Sequence, residues 1–547
     1  MKIGLIGVNS QFVHSNLALY YLRENLPQGM TGEIREFNNN EPILSIFYEL
    51  AAGNYDVMAF SVYLWNRETV LKLLSLVKEA LPETVLILGG PEPTYATEAF
   101  SPYGFVVPGA LEPLWPHLLT AIAGGEDPQG SMGLLSGSFF AEDWKFPYRE
   151  EDLSALKHRL VYYETSRGCP YRCAFCLSSA EEQRAYLPLE RVKKELDFFL
   201  HHEFSVVKLV DRTFNAPKER AKEILRYLLD HYRAGITFHF ELKGELLDRE
   251  TVDLLTAAPR NYFQVEIGIQ SLNEKTLAES CRFAQWQQTK AYYQELIAAD
   301  SLHTHFDLIA ALPHEDLTSF AQGFNEVMSL YPDYLQLGFL KLLPGTKLAE
   351  ERERFGYIAE TFPPYEVVRS KDISTAELHR LKKIDHFMDT VYNKGNLRQT
   401  LRFALKNNGN DSFTLFSALA ESADYETTLQ TLLPQEGAVW HSLLRFDDFL
   451  QNHGATVTAA EERELKGFLQ DKKAVEAVLP HYRDMAPREI YKRVRLLRFP
   501  VAFSFDGKGY LEEATAGESG LLLDYHLKGK QKKGKCRPDV YVLNELA

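Results

Sequence analysis

Apolar runs and amphipathic stretches alternate from the first residue to about residue 125. Lys2–Val8, Glu33–Phe37, Asp56–Leu64, Val85–Leu88 and Phe105–Val107 read as strands, with Ser15–Leu26, Pro42–Ala52, Glu68–Leu81 and Leu111–Ile122 as helices between them. Val85-Leu86-Ile87-Leu88 is apolar without alternation, as expected of a parallel strand covered on both faces. About five such βα units predict a doubly wound, Rossmann-like α/β sheet, whose ligands sit beyond the carboxyl ends of its strands. Those ends read Gly7-Val8-Asn9-Ser10, Ser61-Val62-Tyr63-Leu64-Trp65-Asn66, Gly89-Gly90-Pro91-Glu92 and Pro108-Gly109-Ala110-Leu111-Glu112. Paired glycines after a strand permit close approach of a large flat ligand, and they serve a tight turn equally well.

The period is lost over residues 126–158, where Gly, Ser and Asp-Pro suggest a linker between domains. A second βα series then begins. Its strands are Arg159–Thr165, Ser205–Asp211, Ile236–Lys243, Tyr262–Ser271, His303–Pro313 and Tyr334–Pro344, which predicts a partial (β/α)6 barrel over residues 159–365. Strand carboxyl ends form the working face of such a barrel. They carry Asp211 to Asn215, Glu241, Gln270-Ser271, Asp307 and Leu343 to Thr346. The βα rhythm stops after about residue 365. Residues 366–547 read as a mostly helical domain: Thr375–Val391, Asn396–Lys406, Asp411–Leu433, Gly437–His453, Thr458–Leu469 and Ala474–Met485. Strands follow at Arg495–Phe505, Gly509–Glu513, Gly520–Leu527 and Asp539–Leu543, with a hairpin turn at Asp506-Gly507. The basic run from Lys528 to Arg537 lacks interleaved aromatics and reads as a solvated loop.

At 547 residues and 45% hydrophobic, the chain can bury several cores. Its formal net charge of −15 argues against a nucleic-acid binder and turns attention to small-molecule or peptide substrates. No apolar run reaches ~18 residues, and the amino terminus is too short for a signal peptide, so no membrane association and a cytoplasmic protein are expected.

Three of the five cysteines, Cys169, Cys173 and Cys176, fall within one short run, Glu164–Cys176, spaced C-x3-C-x2-C. Three thiolates on a four-iron cluster leave one iron without a protein ligand, and an open coordination position is where chemistry happens. A structural zinc would need a fourth ligand from Cys281, His201 or His202, at no familiar spacing. A disulfide would leave an odd cysteine over, and Cys536 lies far away. Cys281 itself reads as a buried small hydrophobe.

The segment resembles the signature of radical S-adenosylmethionine (SAM) enzymes, C-x3-C-x-aromatic-C after a strand, with Phe175 in the aromatic slot. The resemblance implies a [4Fe-4S] cluster on the three cysteines, whose free iron chelates SAM. It also implies an external one-electron donor of flavodoxin or ferredoxin type and a 5′-deoxyadenosyl radical as the product of SAM cleavage. SAM contacts are implied at Phe175, Asp211, Glu241, Gln270 and Ser271, with Gly268 leaving room for adenosine. Asp211 to Asn215 departs from the glycine-rich motif that many members carry.

The amino-terminal region resembles the cobalamin-binding domain that precedes this barrel in one branch of the family. Gly89-Gly90-Pro91-Glu92 matches the fourth-strand motif closely, and Gly109-Ala110-Leu111-Glu112 matches the fifth in part. Cobalamin contacts are implied at Ser61, Tyr63, Asn66, Arg67, Gly89, Gly90, Glu92, Gly109 and Glu112. No Asp-x-His-x-x-Gly is present, so the cobalt-ligating histidine of the classical methyltransferases is missing; Arg67 or Tyr63 is a candidate for the lower face, and His14 reads as a capping or packing residue. The carboxyl-terminal region resembles only an uncharacterised extension of such proteins. The expected activity is a cobalamin-dependent radical SAM methyltransferase acting on an unactivated carbon. A cobalamin-dependent cyclase or rearrangement enzyme, or a non-catalytic cobalamin-binding protein, stands as the alternative.

Overall fold

The computed structural model describes residues 1–126, 145–180, 184–409, 411–433, 437–451, 457–505, 511–525 and 538–543. They divide into two compact units, Met1–Phe320 with Leu337–Leu378, and Ala321–Gln336 with His379–Ala547.

The first unit opens with five parallel strands, β1 (Lys2–Asn9), β2 (Thr31–Asn38), β3 (Val57–Ser61), β4 (Val85–Gly89) and β5 (Phe105–Val107), in the order β2-β1-β3-β4-β5. Alternate residues feed two cores. Ile3 and Leu5 pack with Leu19 and Leu22 of α1 (Leu17–Glu24) and Trp115 of α4 (Trp115–Ala123) on one face. Ile6 and Val8 pack with Leu50 of α2 (Ile43–Ala52) and Leu73 of α3 (Arg67–Ala80) on the other. Strand order reverses between β1 and β3, which makes the carboxyl ends there the place for a ligand.

The same unit continues into a second sheet whose order follows the sequence: β6 (Val161–Tyr163), β9 (Val206–Leu209), β10 (Thr237–Leu242), β11 (Phe263–Gln270), β12 (His303–Ala310) and β13 (Tyr334–Phe339), the last from Leu337 onward. Two short strands, β7 (Ser166–Arg167) and β8 (Ala185–Tyr186), pair antiparallel beside the cysteine loop. The first barrel strand is shorter than the apolar run because Thr165 turns away, giving its N–H and Oγ1 to the Asp211 carboxylate at 3.0 and 2.7 Å.

The two sheets of this unit are stitched together. Leu160 N–H donates to Val13 O at 2.7 Å, Ser15 Oγ donates to Leu160 O at 2.8 Å, and His14 forms a parallel bridge with Leu160. The β1–α1 loop thus lies along the outer edge of the barrel sheet at β6. Arg159 reaches Glu36 at 2.8 Å and Arg23 reaches Asp152 at 2.6 Å.

In the second unit the run Asp411–Leu433 is two helices, Ser412–Ala420 and Tyr425–Leu432, because Asp424 caps the second by accepting from Glu426 and Thr427 N–H. Ala474–Met485 shortens to a helix at Lys472–Val478, since Pro480 lacks the N–H that would continue it. The tail forms one antiparallel sheet of β14 (Val494–Phe505), β15 (Leu511–Asp524) and β16 (Asp539–Leu543). The described parts of two segments read separately in the sequence, 511–513 and 520–524, belong to the single long β15, and the rest of both but Tyr525 lies outside the described residues. The turn at Asp506-Gly507 and the basic run up to Arg537, with Cys536, lie outside the described residues.

Candidate functional site

The cysteine loop leaves β6 and is held at the barrel mouth by backbone bonds from three directions. Cys176 N–H donates to Cys173 O at 3.1 Å, Ala174 N–H to Ser280 O at 2.9 Å, and Leu348 N–H to Ala174 O at 3.0 Å. Cys169, Cys173 and Cys176 are free and half-buried, as is Phe175. Thr213 Oγ1 lies 3.5 Å from Cys169 Sγ, and Arg282 Nη1 lies 3.9 Å from Cys173 Sγ. Burial pushes the Cys173 thiol up, and the Arg282 guanidinium opposes that. The zinc alternative finds its histidines engaged elsewhere, His201 Nδ1 on Asp197 O and His202 Nδ1 on Phe198 O. Cys281 is a correction: it is exposed, held at φ 52° past the end of a short helix with Lys347 Nζ 3.6 Å from its sulfur, rather than buried.

A cavity of about 520 Å³ separates this loop from the edge of the first sheet. Ser61, Tyr63, Gly89, Gly90, Gly109 and Glu112 line one wall; Ser166, Arg167, Gly168 and Leu177 line the other. Its inner end runs between Ala18, Leu19 and Leu22 of α1 and Ala59 of β3, a slot the sequence did not announce because small and apolar helix residues look like ordinary core. Gly90 is required by backbone packing: its φ is 109°, and a Cβ there would stand 2.5 Å from Val62 O. Arg167 bridges the two walls, 3.0 Å from Glu112 and paired with Glu164.

Three residues expected at the cobalamin face do not line this cavity. Asn66 is buried; it accepts from Tyr63 N–H at 2.8 Å and donates to Val8 O and Ser61 O at 2.9 and 3.1 Å. Arg67 Nη1 donates to Glu92 at 2.9 Å and to the Tyr365 hydroxyl, which in turn donates to Glu92 at 2.8 Å. Tyr63 stacks on Trp65 at 4.4 Å and 6°. His14 Nδ1 pairs with Tyr162 OH at 2.6 Å, consistent with packing.

On the barrel side, Asp211 is buried and saturated by Thr165 and Ser166, which makes it a brace for the loop rather than an open ligand group. Glu241 faces Lys208 at 3.4 Å. Ser271 Oγ donates to Glu315 Oε1 at 2.6 Å, and burial raises that carboxyl to about 8. The space over Gly268 is filled by this chain itself: a Cβ there would meet Gln270 Nε2 at 2.1 Å, and Arg282 Nη2 donates to Gly268 O. Gln270 Oε1 and Arg282 Nε are buried without hydrogen-bond partners at this mouth. Orphaned polar atoms beside three free thiols fit a site built for a polar cofactor.

Residues 163–323 match the family model of the radical SAM superfamily, and residues 3–111 match that of the B12 binding domain. The chain joins a B12-binding domain to a radical SAM domain. Its cofactors are accordingly cobalamin, a [4Fe-4S] cluster and SAM. Residues 353–450 match a protein family of unknown function, DUF4080. Among curated proteins, the chain is 24% identical over 376 residues to 2-(S-pantetheinyl)-carbapenam-3-carboxylate methyltransferase of Streptantibioticus cattleyicolor, covering 60% of this chain and 53% of that protein. It is 25% identical over 370 residues to the cobalamin-dependent radical SAM methyltransferase TokK of Streptomyces tokunonensis, covering 58% and 53%. The chain thus spans about half the length of the curated relatives it matches. The fold is also that of the radical SAM methyltransferase TsrM from Kitasatospora setae, at TM-score 0.53 and 16% identity over 66% of this chain and 76% of that one. Among the described residues no helix is long and apolar enough to cross a membrane.

Proposed function

We propose that this protein is a cobalamin-dependent radical SAM methyltransferase acting on an unactivated carbon of a small-molecule or peptide substrate, in the cytoplasm, with a flavodoxin- or ferredoxin-type electron donor. In this reading residues 1–125 hold cobalamin, 126–158 cross between domains, 159–365 form the catalytic barrel, and 366–547 have a role of their own. The observation that carries it is the single cavity shared by the sheet edge at Gly89-Gly90 and the loop at Gly168–Leu177. Reacting atoms must come within ~3–3.5 Å, so two cofactor sites that serve one reaction must open onto one space.

When bound, the cluster supplies an electron to SAM and cobalamin supplies a transferable methyl group. The chain's own residues do the rest. Cys169, Cys173 and Cys176 are the ligands, Gly109, with open space where a Cβ would stand, lets the backbone approach the corrin, and Asp211 braces Thr165 and Ser166 so that the loop cannot drift. Arg167, pinned between Glu112 and Glu164, keeps the two walls at fixed spacing.

The test is anaerobic reconstitution with iron, sulfide and cobalamin, followed by incubation with SAM, reductant and a cell extract. Both 5′-deoxyadenosine and S-adenosylhomocysteine are expected. Deoxyadenosine without any homocysteine product would favour the cyclase or rearrangement alternative. Cys173→Ala is expected to lose cluster iron and both products; normal iron and turnover in that variant would remove the ligand assignment.

A further inference from the structure

Closed parallel barrels fill their interiors with branched apolar side chains. This one does the opposite. Strand register puts Tyr162 beside Lys208, Lys208 beside His239, His239 beside Gln264 and Gln264 beside His303, one continuous polar row across five strands. The next row toward the mouth is Glu241, Glu266 and His305, and above it Asp307 stands beside Gly268. The residues between these rows, such as Val207, Phe240, Val265 and Phe306, are buried on the opposite, helix-covered face.

The polar residues contact one another across the lumen. Lys208 Nζ lies 3.0 Å from Glu266 and 3.4 Å from Glu241, His239 Nε2 lies 3.0 Å from Glu266, and His305 Nε2 lies 2.9 Å from Asp307. An ion network serving only to hold the barrel together would be sealed from solvent. Here the side chains of Lys208, Glu241 and Glu266 keep 25%, 26% and 24% of their surface accessible. A second cavity, of about 410 Å³, is lined by Tyr162 of the first row, together with His14, Trp65 and Arg212, and adjoins the larger cavity at Tyr63 and Arg167. Tyr162, bonded to His14, thus sets one end of the polar row against the space beside the larger cavity, where both cofactors are proposed to meet.

We infer that the methyl acceptor is a hydrophilic molecule, neutral or cationic, whose hydrogen-bonding groups are received by the Lys208–Glu266–His239 cluster. This deepens the methyltransferase reading and rests on it. A hydrocarbon entering this lumen would strip water from groups it could not pair, which disfavours an apolar acceptor. A net anion would meet three carboxylates, Glu241, Glu266 and Asp307, whose cationic partners, Lys208 with His239 and His305, are already engaged by them.

The cofactor-loaded full chain is mixed with a cell extract divided into three fractions: chloroform-soluble, water-soluble and retained on a quaternary-ammonium resin, and water-soluble and unretained. Compounds that stay with the protein through rapid gel filtration are identified by mass spectrometry, and S-adenosylhomocysteine is measured in parallel. Retained compounds are expected from the third fraction only, with retention falling at least tenfold in Glu266→Gln and in Lys208→Met, each checked for native melting and cofactor content. Retention of a lipid, of an anion, or of nothing overturns the inference, as does undiminished retention by both variants. Retention as expected with no homocysteine product in any fraction leaves the lumen assignment standing and removes the methyltransferase reading instead.

Discussion

Glu315 shows how much one buried group can govern. Its carboxyl is 2% exposed, receives Ser271 Oγ on one oxygen, has no partner for the other, and is raised by burial to about 8. In the unfolded chain it releases its proton near 4.5, so the native state binds one more proton than the unfolded state between these two values. Stability must therefore fall as pH rises from about 5 to 8, at about 1.4 kcal/mol for each unit separating the two values. Glu315→Gln removes that dependence: the variant is expected to match the native protein near pH 4.5 and to exceed it at pH 8. Urea denaturation at a series of pH values checks this, and parallel curves for the two proteins would show the carboxyl to be ionised in the fold. Nothing in the sequence marked Glu315, because a glutamate in a loop reads as solvated and its burial depends on strands far away in the chain.

At the level of elements, the turn after β4 carries the strictest local demand. Gly90 has φ 109° and ψ −179°, and its α-carbon faces the Val62 carbonyl. Gly90→Ala is expected to cost about 1–3 kcal/mol in backbone strain alone, before the 2.5 Å contact is relieved. The expected outcome is a lowered denaturation midpoint together with weaker retention of cobalamin, read from its visible absorption after gel filtration. A fully stable variant would mean that the turn can re-form with an ordinary backbone. This element was legible in sequence because the signal is local: two glycines follow an apolar run. The cysteine spacing and the ten strands of the first two βα series up to β12 were legible for the same reason. Asn66, Arg67 and Glu92 are implied as ligand groups by the resemblance to the cobalamin-binding domain, yet their partners include Val8 and Tyr365, the latter 298 residues from Arg67. Long-range pairing leaves no trace in local pattern. Nor does the slot beside Ala18 and Leu22, whose residues have the same spacing as any buried helix face.

For the molecule as a whole, within its first unit, the Arg67–Glu92–Tyr365 contact ties the helix starts at the sheet edge to the segment that follows the last barrel strand. Tyr365→Phe keeps the Arg67–Glu92 pair and severs only the tie. If the proposed methyl transfer holds, radical formation is expected to persist while its coupling to methylation fails, so the ratio of deoxyadenosine to methylated product should rise several-fold; quantitative mass spectrometry of both products reads it. An unchanged ratio would mean that the sheet edge is positioned without Tyr365. The Val13–Ser15 strip along β6 has a different kind of consequence. A partial barrel has two free margins, and a bare strand margin is a template on which further chains can pair. Here the β1–α1 loop shields one of them at Leu160, so excising residues 1–125 is expected to bare that margin and yield a fragment that self-associates.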